Sequence, residues 1–236
     1  EFGHLSGLGH SQINGGCATD CSAEDLSGVP TMFPLLVGPG QATLNTDDIS
    51  MLSSLYPESS FHPSRGRIQG RVVFSDGVTP AQGYNVIARN TADPRVTAVS
   101  SVSGYRFTAG AGNSLVPSGM DTSFFYGSHD PGLIGFYDLP GLPPGTYTVE
   151  VEAILNSGSV PFVYESGVGP IGDYLGFQYK MPGSCDVQYL HHPPRPTDDC
   201  GTRTTVSVGP GQVLSTGTDI VLIGTGPRYD AWESGE

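Results

Sequence analysis

The sequence predicts two unlike parts: a short helix-containing α+β segment over residues 1–60, and an all-β antiparallel sandwich of about seven strands over residues 68–225. Three observations point there. Apolar residues recur at helical spacing before about residue 60 and at a period of two after residue 68. Gly 34 and Pro 20 in 236 residues are too many for a helical bundle and lack the strict period of collagen. Short apolar runs punctuated by Gly, Pro, Asn and Asp, with no helical pattern between them, read as antiparallel strands joined by turns.

Residues 1–60 open with a short helical start, pass through a Gly/Cys loop and an apolar turn, Val29-Pro30-Thr31-Met32-Phe33-Pro34, and reach a longer helix. Thr46 offers an N-cap hydroxyl, and Asp47 and Asp48 place negative charge where the helix dipole favours it. Ile49, Leu52 and Leu55 with Tyr56 recur at helical spacing, and Pro57 closes the segment. The expectation is an amphipathic helix over about 47–56 that packs its apolar side at a domain edge. Residues 61–67 are polar, contain Pro63 and have no period, which reads as a linker.

The period then switches. Ile68, Gly70, Val72 and Phe74 share one face of a strand, and Tyr147, Val149, Val151 and Ala153 alternate with Thr148, Glu150 and Glu152 as a half-buried strand. Further strands are expected near 84–89, 96–101, 103–108, 133–138, 177–181, 204–208 and 218–223. Two loops, near 109–132 and 182–203, are longer than a minimal sandwich needs. Residues 226–236 read as a tail.

Lys+Arg 10 against Asp+Glu 23 gives a formal net charge of -13, which disfavours nucleic acid and anionic membranes as partners. No apolar run reaches the roughly 20 residues that span a bilayer. The chain starts at Glu1 with neither an initiator Met nor a signal peptide, so it reads as a piece of a longer or processed protein. Its four cysteines fall as near pairs, Cys17 with Cys21 and Cys185 with Cys200. Three connectivities are open, the local pairing being the first choice, and the even count with little Lys suits a secreted protein. Neither pair has finger spacing to a second Cys or His pair, so the cysteines are not read as zinc ligands.

The first ten residues spell E-x-x-H-x-x-G-x-x-H, with Glu1, His4, Gly7 and His10 at the fixed positions. On a helix, residues four apart share a face, so a histidine immediately before Glu1 and His4 would aim at one metal. Gly7 lets the chain leave the helix sharply and bring His10 round as a third imidazole. Three nitrogens and an open position make a catalytic zinc site, with Glu1 placed as general base toward the metal's water. Against this stands the plainer assignment of both histidines to ordinary surface or core roles.

The motif resembles the long zinc signature of metzincin peptidases with its first histidine outside the chain. The apolar turn around Met32 resembles the methionine turn of that group. Together with Ser11 after His10, Asp47-Asp48-Ile49 and Leu55-Tyr56-Pro57, it is similar to the C-terminal third of a matrixin catalytic domain. The resemblance implies His4 and His10 as ligands of one catalytic zinc, Glu1 as general base and Met32 as the methionine-turn residue. The stretch from His10 to Met32 is longer than matrixins usually have and carries Cys17 and Cys21.

The second part resembles another family. Ile68-Gln69-Gly70-Arg71-Val72, Gly83-Tyr84-Asn85-Val86-Ile87-Ala88-Arg89 and Leu139-Pro140-Gly141-Leu142-Pro143-Pro144-Gly145-Thr146-Tyr147 look like a carboxypeptidase regulatory-like module, an immunoglobulin/transthyretin-like sandwich. Proline and glycine would set its turn, and Tyr147 would open the next buried strand. Such modules usually accompany secreted catalytic domains.

The combined expectation is a fragment of a secreted zinc endopeptidase acting on protein or peptide substrates, with an accessory sandwich. Lacking the first zinc histidine, the chain alone is expected to be inactive. The alternative is a non-enzymatic extracellular binding or adhesion module with an incomplete zinc site. His191 and His192 read as solvated loop residues. Asp198, Asp199, Asp173 and Glu165 could touch calcium, but no EF-hand spacing supports it. No serine or cysteine triad, P-loop or dinucleotide fingerprint is present, and the oligomeric state is not encoded in any pattern.

Overall fold

Alternation decides the strands. Along β1 (Gly66–Val73) the inward positions Ile68, Gly70 and Val72 are buried while Arg67, Gln69 and Arg71 are half-buried. The computed structural model describes residues 2–11, 13–14, 17, 22–33, 35–81, 83–104, 132–153, 188–195 and 199–223. Among them nine strands form two sheets: β1, β2 (Tyr84–Asn90), β3 (Ala98–Val102), β4 (Phe136–Leu142), β5 (Gly145–Ala153), β6 (Gln188–Tyr189), β7 (Thr205–Val208), β8 (Val213–Leu214) and β9 (Ile220–Val221). In one sheet β1 pairs with β4, β8 and β9. In the other β3, β2, β5 and β6 follow in order and β7 also pairs with β5. Ile68, Val72, Tyr137 and Leu139 from the first sheet and Val86, Val99, Val149 and Val151 from the second share one apolar core.

The chain is thus mostly β, with two sheets rich in antiparallel pairs and few helices. Three details depart from the sequence reading. β8 and β9 pair with β1 in parallel, through Arg67 with Val213 and Val72 with Ile220. β4 continues past the expected end at Asp138, through Pro140 and Gly141, before the chain turns at Pro143-Pro144 into β5. The register with β1 shifts between Gly66 and Ile68, a bulge that tolerates a proline lacking an N–H and a Gly141 at φ +69°. Residues 61–67 are no bare linker, because α4 (Phe61–Ser64) occupies them and β1 begins at Gly66.

Strand β5 is the larger surprise. Its Glu150 and Glu152, expected to face water, are each 2% exposed. They survive burial because the neighbouring strand brings partners: Asn85 Nδ2 donates to Glu152 Oε1 at 2.8 Å and Arg89 Nε donates to Glu150 Oε1. Arg89 Nη1 also donates to Asn14 Oδ1 at 2.9 Å, and Ile13 packs on Ile87 and Ala98. The N-terminal segment therefore covers the outer face of the β3–β2–β5 sheet, and both faces of that sheet are buried.

The loop expected over 182–203 contains β6 and a 3₁₀ turn at Cys200–Thr202, and His191 is buried, with Nδ1 3.0 Å from the Thr202 carbonyl oxygen. The strands expected over 105–108 and 177–181, the loop over 109–131 and the tail lie outside the described residues. No described helix is long and apolar enough to cross a membrane.

Candidate metal centre

His4 lies on α1 (Phe2–Leu5), a single turn that Gly7, at φ +88°, ends by letting the chain double back. That reversal brings His10 against His4: their Nε2 atoms are 3.2 Å apart and the rings meet edge to face at 75°. Two nitrogens about 2.05 Å from one tetrahedral zinc would stand about 3.3 Å apart, so the pair has the separation that a shared metal demands. His4 Nδ1 is 2.8 Å from the Leu8 carbonyl oxygen. A carbonyl only accepts, so Nδ1 carries the hydrogen and the neutral ring keeps its Nε2 lone pair for His10's hydrogen or for a metal. Both histidines are solvent-accessible.

Met32 sits directly under this helix. A Cβ added at Gly3 would lie 2.1 Å from Met32 Sδ, so the bare glycine leaves the room that the methionine side chain fills. The turn bearing Met32 is held by one carboxylate. Asp48 accepts from the backbone N–H of Thr31 at 2.9 Å, of Met32 at 3.0 Å and of Asn45 at 2.9 Å. Asp48 is the third residue of α3 (Thr46–Leu55), whose N-cap is Asn45 and not Thr46. The Asn45 side chain is engaged elsewhere, its Nδ2 donating to the Val29 carbonyl at 2.6 Å.

Asp47 does the neighbouring task. Its Oδ2 accepts from Ser11 Oγ at 2.6 Å and its Oδ1 from the Ser100 N–H of β3 at 2.7 Å. Burial pushes its carboxyl up to about 6, with Asp48 adding to the shift while the Ser11 and Ser100 hydrogen bonds oppose it. Helix α3 thus turns its acids inward, and its apolar stripe is the open side: Ile49 is 42% and Leu55 44% exposed. That inverts the expected amphipathic packing, because the acids find buried N–H and O–H donors that the apolar side chains could not satisfy.

No protein-family model and no curated protein sequence matches this chain. Among solved structures it is similar to BcpA, the major pilin subunit of Bacillus cereus, at 12% identity and a TM-score of 0.29, over 69% of this chain and 31% of that one. A likeness that low carries no argument about fold or activity.

Of the residues singled out in the sequence, the structure brings His4, Gly7, His10 and Met32 together. Glu1 lies outside the described residues, as do Cys21 and Cys185. Cys17 and Cys200 are both disulfide-bonded, and no described cysteine is free. Among the described residues no group of three His, Cys, Asp or Glu side chains is placed to hold a metal. The sequence reading gave Asp47 and Asp48 only a helix-capping role. Asn14, Arg89 and Ser100 it did not single out, although an arginine on an otherwise apolar strand was a visible signal of a buried partner.

Proposed function

We propose that this chain is part of a secreted, matrixin-like zinc endopeptidase, with residues 1–60 contributing to the metal centre and residues 68–225 forming a transthyretin-like sandwich of the carboxypeptidase regulatory type. The observation that carries the reading is the convergence of His4 Nε2 and His10 Nε2 to 3.2 Å above a buried methionine turn. Nothing in a surface pair of histidines calls for the Gly3–Met32 contact or for a three-way anchor on Asp48.

In this reading His4 and His10 hold zinc together with a histidine that the motif places immediately before Glu1. When bound, zinc acts as a Lewis acid that polarises a peptide carbonyl and makes water acidic near neutral pH. The chain's own residues do the rest. Leu8 fixes the His4 tautomer through its carbonyl, and Gly7 sets the turn. Glu1, by its place in the motif, takes the proton of the attacking water on its carboxylate and gives it to the departing amine nitrogen. Met32 supports the helix from below.

The test is made on secreted protein that includes the residue encoded before Glu1. Glu1→Ala is expected to abolish peptide-bond cleavage while leaving about one zinc per chain. Cleavage that survives Glu1→Ala would overturn the role of Glu1. Zinc bound without any cleavage in the parent would favour an extracellular binding module instead.

A further inference from the structure

We infer that the β-sandwich is a working part of the metal centre: strand β3, through Ser100 and the buried Asp47, positions the loop that carries His10. The inference rests on the metal-site reading above and names the element that fixes one of its ligands.

Ser11, the residue after His10, is held from three directions. Its N–H donates to the Met32 carbonyl at 3.0 Å, its hydroxyl donates to Asp47 at 2.6 Å, and the same hydroxyl accepts from the Ile13 N–H at 3.3 Å. The Asp47 carboxylate is in turn held by the Ser100 N–H at 2.7 Å and by the Ser100 hydroxyl at 3.3 Å. Two residues on, Ile13 packs against Ile87 and Ala98, and Asn14 accepts from Arg89. Ser11, Ile13 and Asn14 are all buried, whereas His10 is exposed. The ligand thus projects into solvent from a stretch whose next buried residues are gripped by strands β2 and β3. His4 is held differently, through the Met32 and Gly7 contacts of its own segment. The placing of the His10 imidazole against His4 therefore draws on two supports, the Met32 turn within the N-terminal segment and the β3 contact through Asp47. Asp47 is the positioning residue: its carboxylate accepts both from Ser11, beside His10, and from Ser100 of β3.

The experiment compares the parent chain with Asp47→Ala, Asp47→Asn and Asp25→Ala by hydrogen exchange without metal and by titration with cobalt(II). Asp25 also ties the N-terminal segment to the sandwich, through Arg95, but away from His10. Exchange of the amides of residues 10–14 should speed up about tenfold in Asp47→Ala. Cobalt affinity should fall roughly tenfold or more, the usual loss when an outer partner of a ligand is removed. Asp47→Asn keeps an oxygen for the Ser100 N–H and an amide for the Ser11 hydroxyl, and should restore most of both. Asp25→Ala should change neither. Should Asp47→Ala fail to fold, Ser11→Ala cuts only the hydroxyl link and is expected to move both readouts in the same direction.

Unchanged exchange and affinity in the Asp47 and Ser11 variants, or equal changes in Asp25→Ala, would overturn the inference. Faster exchange at residues 10–14 in Asp47→Ala, together with a parent chain that takes up no cobalt, would uphold the positioning role of β3 while sinking the metal reading beneath it.

Discussion

Removing the Glu150 carboxylate should unfold the sandwich from its covered face. Arg89 is 1% exposed and Glu150 2%, and they face each other between the β2–β5 pair and the N-terminal segment. Glu150→Ala leaves the guanidinium with Asn14 Oδ1 at 2.9 Å and the Pro94 carbonyl at 3.1 Å as its described partners, both neutral. Truncating one partner of a buried ion pair strands the other charge in a low-dielectric site, at about 3–5 kcal/mol. That is a fifth or more of the roughly 5–15 kcal/mol by which an ordinary domain is stable. Replacing both charges with apolar groups, Arg89→Met with Glu150→Leu, removes the stranded charge and should recover most of the loss. Urea unfolding followed by far-ultraviolet circular dichroism compares the two variants with the parent chain. A Glu150→Ala loss below about 1 kcal/mol, or a double variant no better than the single, would refute the claim that this charge pair is truly dry.

Three further outcomes follow from the same contacts. Asp47 is raised from 3.8 to about 6, so the native chain binds its proton more tightly than the unfolded one. The contribution of Asp47 to stability should therefore be fully present below about pH 4 and fall by on the order of 3 kcal/mol as pH rises through about 6; Asp47→Asn should remove that component from unfolding curves taken across the window. A Cβ at Gly28 would lie 2.2 Å from the Arg95 carbonyl oxygen, backbone against backbone, so Gly28→Ala should lower stability by about 1–3 kcal/mol in the same unfolding assay. Asn14 adopts φ 55° and bonds both Arg89 and the Arg95 carbonyl, so Asn14→Ala should cost about 2 kcal/mol in the same unfolding assay.

The strands were legible because a sheet face writes its period into the local sequence. Val86 and Ala88 alternate with Asn85, Ile87 and Arg89, and Tyr147, Val149 and Val151 with the acids between them. The turn at Gly7 was legible for a similar reason: a tight reversal between two histidines needs a residue that accepts positive φ. What escaped was everything decided by distant partners. The helix at 46–55 presents an apolar stripe in sequence, yet its orientation is set by Asp47 meeting Ser100, 53 positions away. The buried second face of the β2–β5 pair depends on Asn14 meeting Arg89 across 75 positions. No local period records such pairings, and a Glu on a strand looks solvated until its arginine is placed. The two short parallel strands at 213–214 and 220–221 were blurred for another reason, since two residues are too few to show alternation.

The central claim is that His4 and His10 share one metal ion. X-ray absorption at the zinc edge, on the chain loaded with one equivalent of zinc and washed, tests it most directly. The account predicts imidazole nitrogen scattering at about 2.0–2.1 Å, with the outer-ring pattern of at least two histidines that is lost in His4→Ala and in His10→Ala. A first shell of oxygen alone, or a signal untouched by both substitutions, would contradict it.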